Sequence, residues 1–146
     1  MRRRARGARV RSTTQVRVRF ADTDAAGIVH YAHYLAFLEA GRAEALRQLG
    51  LPQARIAACE LQAPVLEAVL RYRAPARFDD VLMIQTWVAE LDGARFRFRY
   101  EIRHAENQAL VAASETLHAW TDASSAEAVE PPEWLRAALE QLSGDE

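Results

Sequence analysis

From Thr14 to Phe20 the chain alternates, Val16, Val18 and Phe20 falling on one side and Gln15, Arg17 and Arg19 on the other. A period of two predicts a half-buried strand. Ala21 to Gly27 breaks the alternation with two aspartates and a glycine and reads as a loop. The period then lengthens. Tyr34, Leu35, Leu38, Arg42, Ala45, Leu46 and Leu49 recur at spacings of three, four and seven, which predicts a long helix with one stripe turned inward, closed by Gly50 and Pro52. A short helical turn fits Gln53 to Cys59. Strand patterns follow over Pro64–Tyr72 and Val81–Leu91, joined by residues 73–80, and Asp92-Gly93 marks a hairpin turn. Beyond it, Phe96, Phe98, Tyr100 and Ile102 alternate with Arg95, Arg97, Arg99, Glu101 and Arg103. Ala109–Thr121 makes a last long strand, 124–132 a linker, and Glu133–Leu142 a terminal amphipathic helix. The order is one strand, a long helix, then four antiparallel strands in hairpin succession. This is an α+β layout in which the helix buries its stripe on the concave face of a five-stranded sheet.

Length and composition narrow this picture. A chain of 146 residues, half of them apolar, is one domain's worth and is not a disordered chain. Its apolar runs are too interrupted for a membrane-spanning helix. A single cysteine, Cys59, excludes an internal disulfide framework. No secretory leader pattern is present, so the expected compartment is the cytoplasm. The net charge of -1 conceals an asymmetry: residues 1–11 carry six Arg and no acid, while the remainder carries 13 Arg against 20 acids. Residues 1–12 therefore read as a disordered Arg-rich tail and 13–142 as a single folded domain. A body that is acidic overall is a poor platform for nucleic acid.

The densest polar cluster lies where the loop meets the long helix, from Asp22 through Asp24 and Gly27 to His30, Tyr31 and His33. A helix start offers unpaired N–H groups that can polarise a carbonyl oxygen, and a carboxylate one short loop upstream can face the carbonyl carbon. Gly27 allows the tight turn between them. Those parts suit acyl transfer. An aspartate before a helix also serves as a cap or turn residue, and Asp22 is the weaker catalytic candidate for that reason. Rival chemistries lack their signatures: there is no Gly-x-Ser-x-Gly elbow and no phosphate-binding glycine loop. His30 and His33 lack a third ligand at fixed spacing, so no metal site is assigned.

The run Phe20-Ala21-Asp22-Thr23-Asp24-Ala25-Ala26-Gly27-Ile28-Val29-His30-Tyr31, with Leu38-Glu39-Ala40-Gly41-Arg42, residues 72–80 and Glu115-Thr116-Leu117-His118-Ala119-Trp120, resembles the hotdog-fold acyl-CoA thioesterases. Within them it is similar to the 4-hydroxybenzoyl-CoA and Tol-Pal-associated groups. The resemblance implies a hotdog fold, a long central helix wrapped by a five-stranded antiparallel sheet. It implies hydrolysis of an acyl- or aryl-CoA thioester in a homodimer or homotetramer, with coenzyme A as part of the substrate and no separate cofactor. Asp24 then takes the position of the catalytic carboxylate, Tyr31 that of the backbone N–H on the thioester oxygen, and Gly27 that of the loop glycine. His30, His33, Glu39, Arg71, Arg73 and Arg77 become candidates for holding substrate or coenzyme A. The Tol-Pal relatives commonly carry His where this chain has Tyr31, which leaves Asp24 with most of the work. Two other functions stay open on the same fold. One is a dehydratase or hydratase using His30 or His33 with Glu39; the other is a non-catalytic acyl-CoA-binding regulator.

Overall fold

The computed structural model describes residues 11–142. Residues 1–10 of the Arg-rich tail lie outside them, and Ser12, which the sequence reading placed in that tail, is the first residue of a strand. The elements in order are β1 (Ser12–Arg17), α1 (Tyr34–Gln48), α2 (Gln53–Ala58), β2 (Leu61–Gln62), β3 (Val65–Tyr72), β4 (Val81–Asp92), β5 (Arg95–His104), β6 (Leu110–Ala119), β7 (Thr121–Asp122) and α3 (Glu133–Glu140). Five strands form one antiparallel sheet in the order β1-β4-β5-β6-β3, and β2 pairs with β7 in a separate two-stranded ribbon.

The expected α+β layout is present, with two corrections. The first strand ends at Arg17, and Phe20 sits exposed on a 3₁₀ turn, Phe20–Asp22, rather than inward on the strand. The reason is the carboxylate of Asp22, which accepts the Arg19 N–H at 2.8 Å and folds the backbone over before the alternation is complete. The second correction concerns hairpin succession, which holds for β4-β5-β6 only. β3 pairs with β6 at one edge of the sheet, and β1 fills the place beside β4. The segment between β3 and β4 is engaged elsewhere: Val29 N–H donates to the Ala76 carbonyl at 2.8 Å, and Ile28 bridges Arg77. That connection is therefore bound to the loop before α1.

α1 lies across β1, β4 and β5. Its inward residues are Tyr34, Phe37, Leu38, Gly41 and Ala45, while Leu35 turns out to solvent. The stripe is thus centred on Phe37 and Gly41, two positions the periodicity did not include. Phe96, Phe98, Tyr100 and Ile102 face the helix with no more than 2% exposure, as their alternation predicts. Trp120, Leu135 and Leu139 close the core beneath α3. No helix among the described residues is long and apolar enough to cross a membrane.

Candidate active site

The loop between β1 and α1 is built on its aspartates. Asp24 closes an Asx turn, its Oδ1 accepting the Ala26 N–H at 2.9 Å, and its backbone carbonyl accepts the Gly27 N–H at 3.0 Å. Gly27 sits at φ +78°, a conformation only glycine adopts cheaply. Thr23 then bridges Val29, so the loop is pinched at its neck. The chain turns through a 3₁₀ turn, Tyr31–His33, directly into α1. His30 caps that turn, its Nδ1 accepting the Ala32 N–H at 3.2 Å. Among the described residues the Tyr31 N–H has no acceptor. From across the loop, the Tyr72 hydroxyl at the end of β3 donates to the Tyr31 carbonyl at 2.7 Å.

Asp24, Ile28, Val29, Tyr31 and Tyr34 line one wall of a cavity of about 480 Å³, and Tyr72, Arg73, Ala74 and Pro75 line the other. Asp24 is exposed to it, and its second carboxylate oxygen makes no hydrogen bond among the described residues. The structure therefore brings Asp24, Tyr31 and Arg73 together around one space, with Gly27 shaping the loop. Two residues that line one cavity thus carry a carboxylate oxygen without a donor and an N–H without an acceptor, the two groups that cleavage of an activated carbonyl needs.

The other predicted site residues stand elsewhere. His33 does not line the cavity; its Nδ1 lies 3.3 Å from the carboxylate of Asp22. Asp22 is fully buried. Burial works to raise its pKa, but the Arg19 side chain and backbone and His33 together hold it below the usual carboxylate range. His30 stacks on Tyr31, with ring centroids 4.4 Å apart. Arg77 lies near Gly27 outside the cavity, and Arg71 lines a separate groove on the opposite sheet face with Trp87 and Glu115. Among the described residues no cluster of three or more His, Cys, Asp or Glu could hold a metal ion.

Glu39 lines a second cavity, of about 390 Å³, between α1, α2 and β5–β6, with Arg42, Phe96, Phe98, His118 and Trp120. His30 and His33 are not among its lining residues, so a single chain does not by itself assemble the histidine–Glu39 pairing that a dehydratase would use. Sequence reasoning missed a buried hydrogen-bond chain behind this cavity. The Ala63 carbonyl can only accept, so His118 Nδ1 carries the hydrogen and donates to it at 3.0 Å. Its Nε2 then accepts from the Thr116 hydroxyl at 2.8 Å, and Thr116 accepts from the Tyr100 hydroxyl at 2.7 Å. The Arg42 guanidinium lines the same cavity, and its charge acts on the Tyr100 hydroxyl. Burial pushes the His118 pKa down to about 4, so the ring is neutral and the chain keeps this direction.

A family model described as the thioesterase-like superfamily matches residues 18–139, and the chain belongs to that superfamily. It is 34% identical to the acyl-CoA thioesterase YbgC of Haemophilus influenzae over 128 residues, covering 87% of this chain and 93% of the relative. It is 33% identical to the 1,4-dihydroxy-2-naphthoyl-CoA hydrolase of Thermosynechococcus vestitus over 134 residues, covering 88% and 91% of the two chains. A crystal structure of the hypothetical protein TT1821 from Thermus thermophilus superposes with a TM-score of 0.83 at 37% identity, covering 90% of this chain and 98% of that one.

Proposed function

We propose that the Asp24 cavity is where a coenzyme A thioester is hydrolysed to the free acid and coenzyme A. The observation that carries this reading is the pairing of Asp24's free oxygen with the acceptor-less Tyr31 N–H at one cavity of a thioesterase-superfamily chain. The thioester oxygen is received by the Tyr31 amide, which stabilises the negative charge that grows on it; removing one such donor typically costs about 10²–10³ in kcat. Asp24 supplies the electron pair. Either it attacks the carbonyl carbon to give a mixed anhydride and coenzyme A thiolate, or it takes a proton from the water that attacks. The Asx turn to Ala26 fixes which oxygen is free to do so. Arg73, on the facing wall, is the cation placed to meet the phosphates of coenzyme A.

The assembly we infer is a homodimer, alone or within a tetramer, acting in the cytoplasm and joined through β3. That strand ends the sheet and exposes Val65, Leu66 and Tyr72 at 44–50%. Antiparallel pairing of two β3 strands sets the Tyr72 end of one beside the Val65 end of the other. The Asp24 cavity then meets the partner's Glu39–Arg42 cavity, giving room for the acyl or aryl body.

Turnover of aromatic, short and long acyl-CoAs, followed with a thiol reagent, tests the activity. Asp24→Asn is expected to lose about 10²–10⁴-fold in kcat, the range of a removed acid–base group; near-normal turnover would overturn the assignment. Single turnover in ¹⁸O-water separates the two routes. Label enters the Asp24 carboxylate only if that carboxylate attacks and water then opens the mixed anhydride at the Asp24 carbonyl, whereas water activation places it in the product acid alone.

A further inference from the structure

We propose that Asp22, through its hold on Arg19 and His33, is the positioning residue that sets the Tyr31 amide against Asp24. The proposal rests on the thioesterase reading of that pair. Asp22 is 0% exposed and its carboxylate collects hydrogen bonds from both sides of the loop. On the near side, Arg19 N–H meets Oδ2 at 2.8 Å, and the Arg19 guanidinium meets Oδ1 at 3.0 Å and Oδ2 at 3.4 Å. On the far side, His33 Nδ1 meets Oδ1 at 3.3 Å, and the backbone carbonyl of Asp22 accepts the His30 N–H at 2.9 Å. The far-side partners, His30 and His33, bracket the turn that carries Tyr31. Asp24 follows Asp22 by two residues. One buried carboxylate thus joins the two segments whose spacing decides whether an oxyanion and a nucleophile can serve the same carbonyl.

The chemistry of the clamp requires a carboxylate. An ionised carboxylate offers acceptors on both oxygens, and every group aimed at this one is a donor. A carboxamide of the same shape keeps one acceptor, and its N–H₂ meets an Arg19 donor whichever way it is turned, since Arg19 reaches both oxygens. The loop must then shift to relieve the contact. A misplacement of about 1 Å in a reacting geometry can cost about 10²-fold in rate, without requiring a loss of substrate affinity. His33 is the accessible half of the device, since its side chain is 42% exposed and its replacement leaves the core untouched.

The experiment compares wild type with Asp22→Asn, His33→Phe, His33→Asn and Asp24→Asn by kcat and KM on an acyl-CoA. The Tyr31 amide is read in ¹⁵N-tyrosine-labelled protein, its signal assigned with Tyr31→Phe. Asp22→Asn and His33→Phe are expected to lower kcat by roughly 10- to 100-fold with KM within about threefold, and to move the Tyr31 amide resonance. His33→Asn, whose side-chain N–H₂ sits close to the place of Nδ1–H, is expected to retain wild-type kcat and resonance. Wild-type kcat in both Asp22→Asn and His33→Phe overturns the proposal. So does an unmoved Tyr31 resonance, or a loss that falls on KM instead. Should Asp22→Asn fail to fold, His33→Phe against His33→Asn decides the matter. Activity in Asp24→Asn would refute the thioesterase assignment of Asp24, while the Tyr31 resonance would still report on the clamp.

Discussion

At Gly41 one hydrogen atom decides how closely the central helix approaches the sheet. A Cβ there would lie 2.8 Å from both Ile84 Cγ2 and Thr86 Oγ1, branched side chains that cannot swing aside. Gly41→Ala gains about 1 kcal/mol of helix propensity but meets an overpacking cost of about 1–3 kcal/mol. The expected result is a net loss, seen as a fall of several degrees in a thermal melt, with Gly27 and Asp24 undisturbed. Individual residues were legible to different degrees. Asp24, Gly27 and Tyr31 stand in one short stretch of sequence, so their chemistry could be read there. The partnership of Asp22 with His33 joins positions eleven residues apart through a turn whose direction no periodicity reveals. Asp22 accordingly read only as a cap or turn residue. That part was right, since it does fold the Phe20–Asp22 turn.

Elements were legible wherever their period was unambiguous. β5 alternates almost without fault, and its outward arginines find acids, Arg97 with Glu90 and Glu115 on the two neighbouring strands and Arg103 with Glu101 on its own. The neighbours of β3 were not legible, because an apolar strand pattern names no partner and the connection to β4 looked like a long hairpin loop. The Tyr100–Thr116–His118–Ala63 chain was hidden for a related reason: it crosses β5, β6 and the entry to β3. It makes stability depend on pH. His118 binds a proton in the unfolded chain below its ordinary pKa of about 6.5, but in the fold only below about 4. Between those values the unfolded state holds more protons, so stability is complete above about pH 6.5 and is lost as pH falls toward 4. The loss reaches about 3 kcal/mol at most. Urea midpoints measured across that window are expected to fall in wild type and to flatten in His118→Gln.

For the whole molecule, the layout of one helix over five antiparallel strands was predictable because a single inward stripe needs a single face to cover it. Assembly was not, since an edge strand and a covered strand share one alternation. The proposed dimer predicts that Leu66→Lys, which places a charge on the β3 rim, sediments as a monomer and loses most activity, while the isolated fold keeps its far-ultraviolet circular dichroism. Wild-type sedimentation as a monomer at micromolar concentration would refute the pairing.

The bare rim of β3 also carries a practical consequence. In the proposed dimer the exposed Val65 and Leu66 side chains of this edge are covered by an identical chain, and at low protein concentration such a chain is scarce. Dilution, more than warming, should then be the condition under which preparations of this protein fade, and adding back fresh subunits should slow the decay.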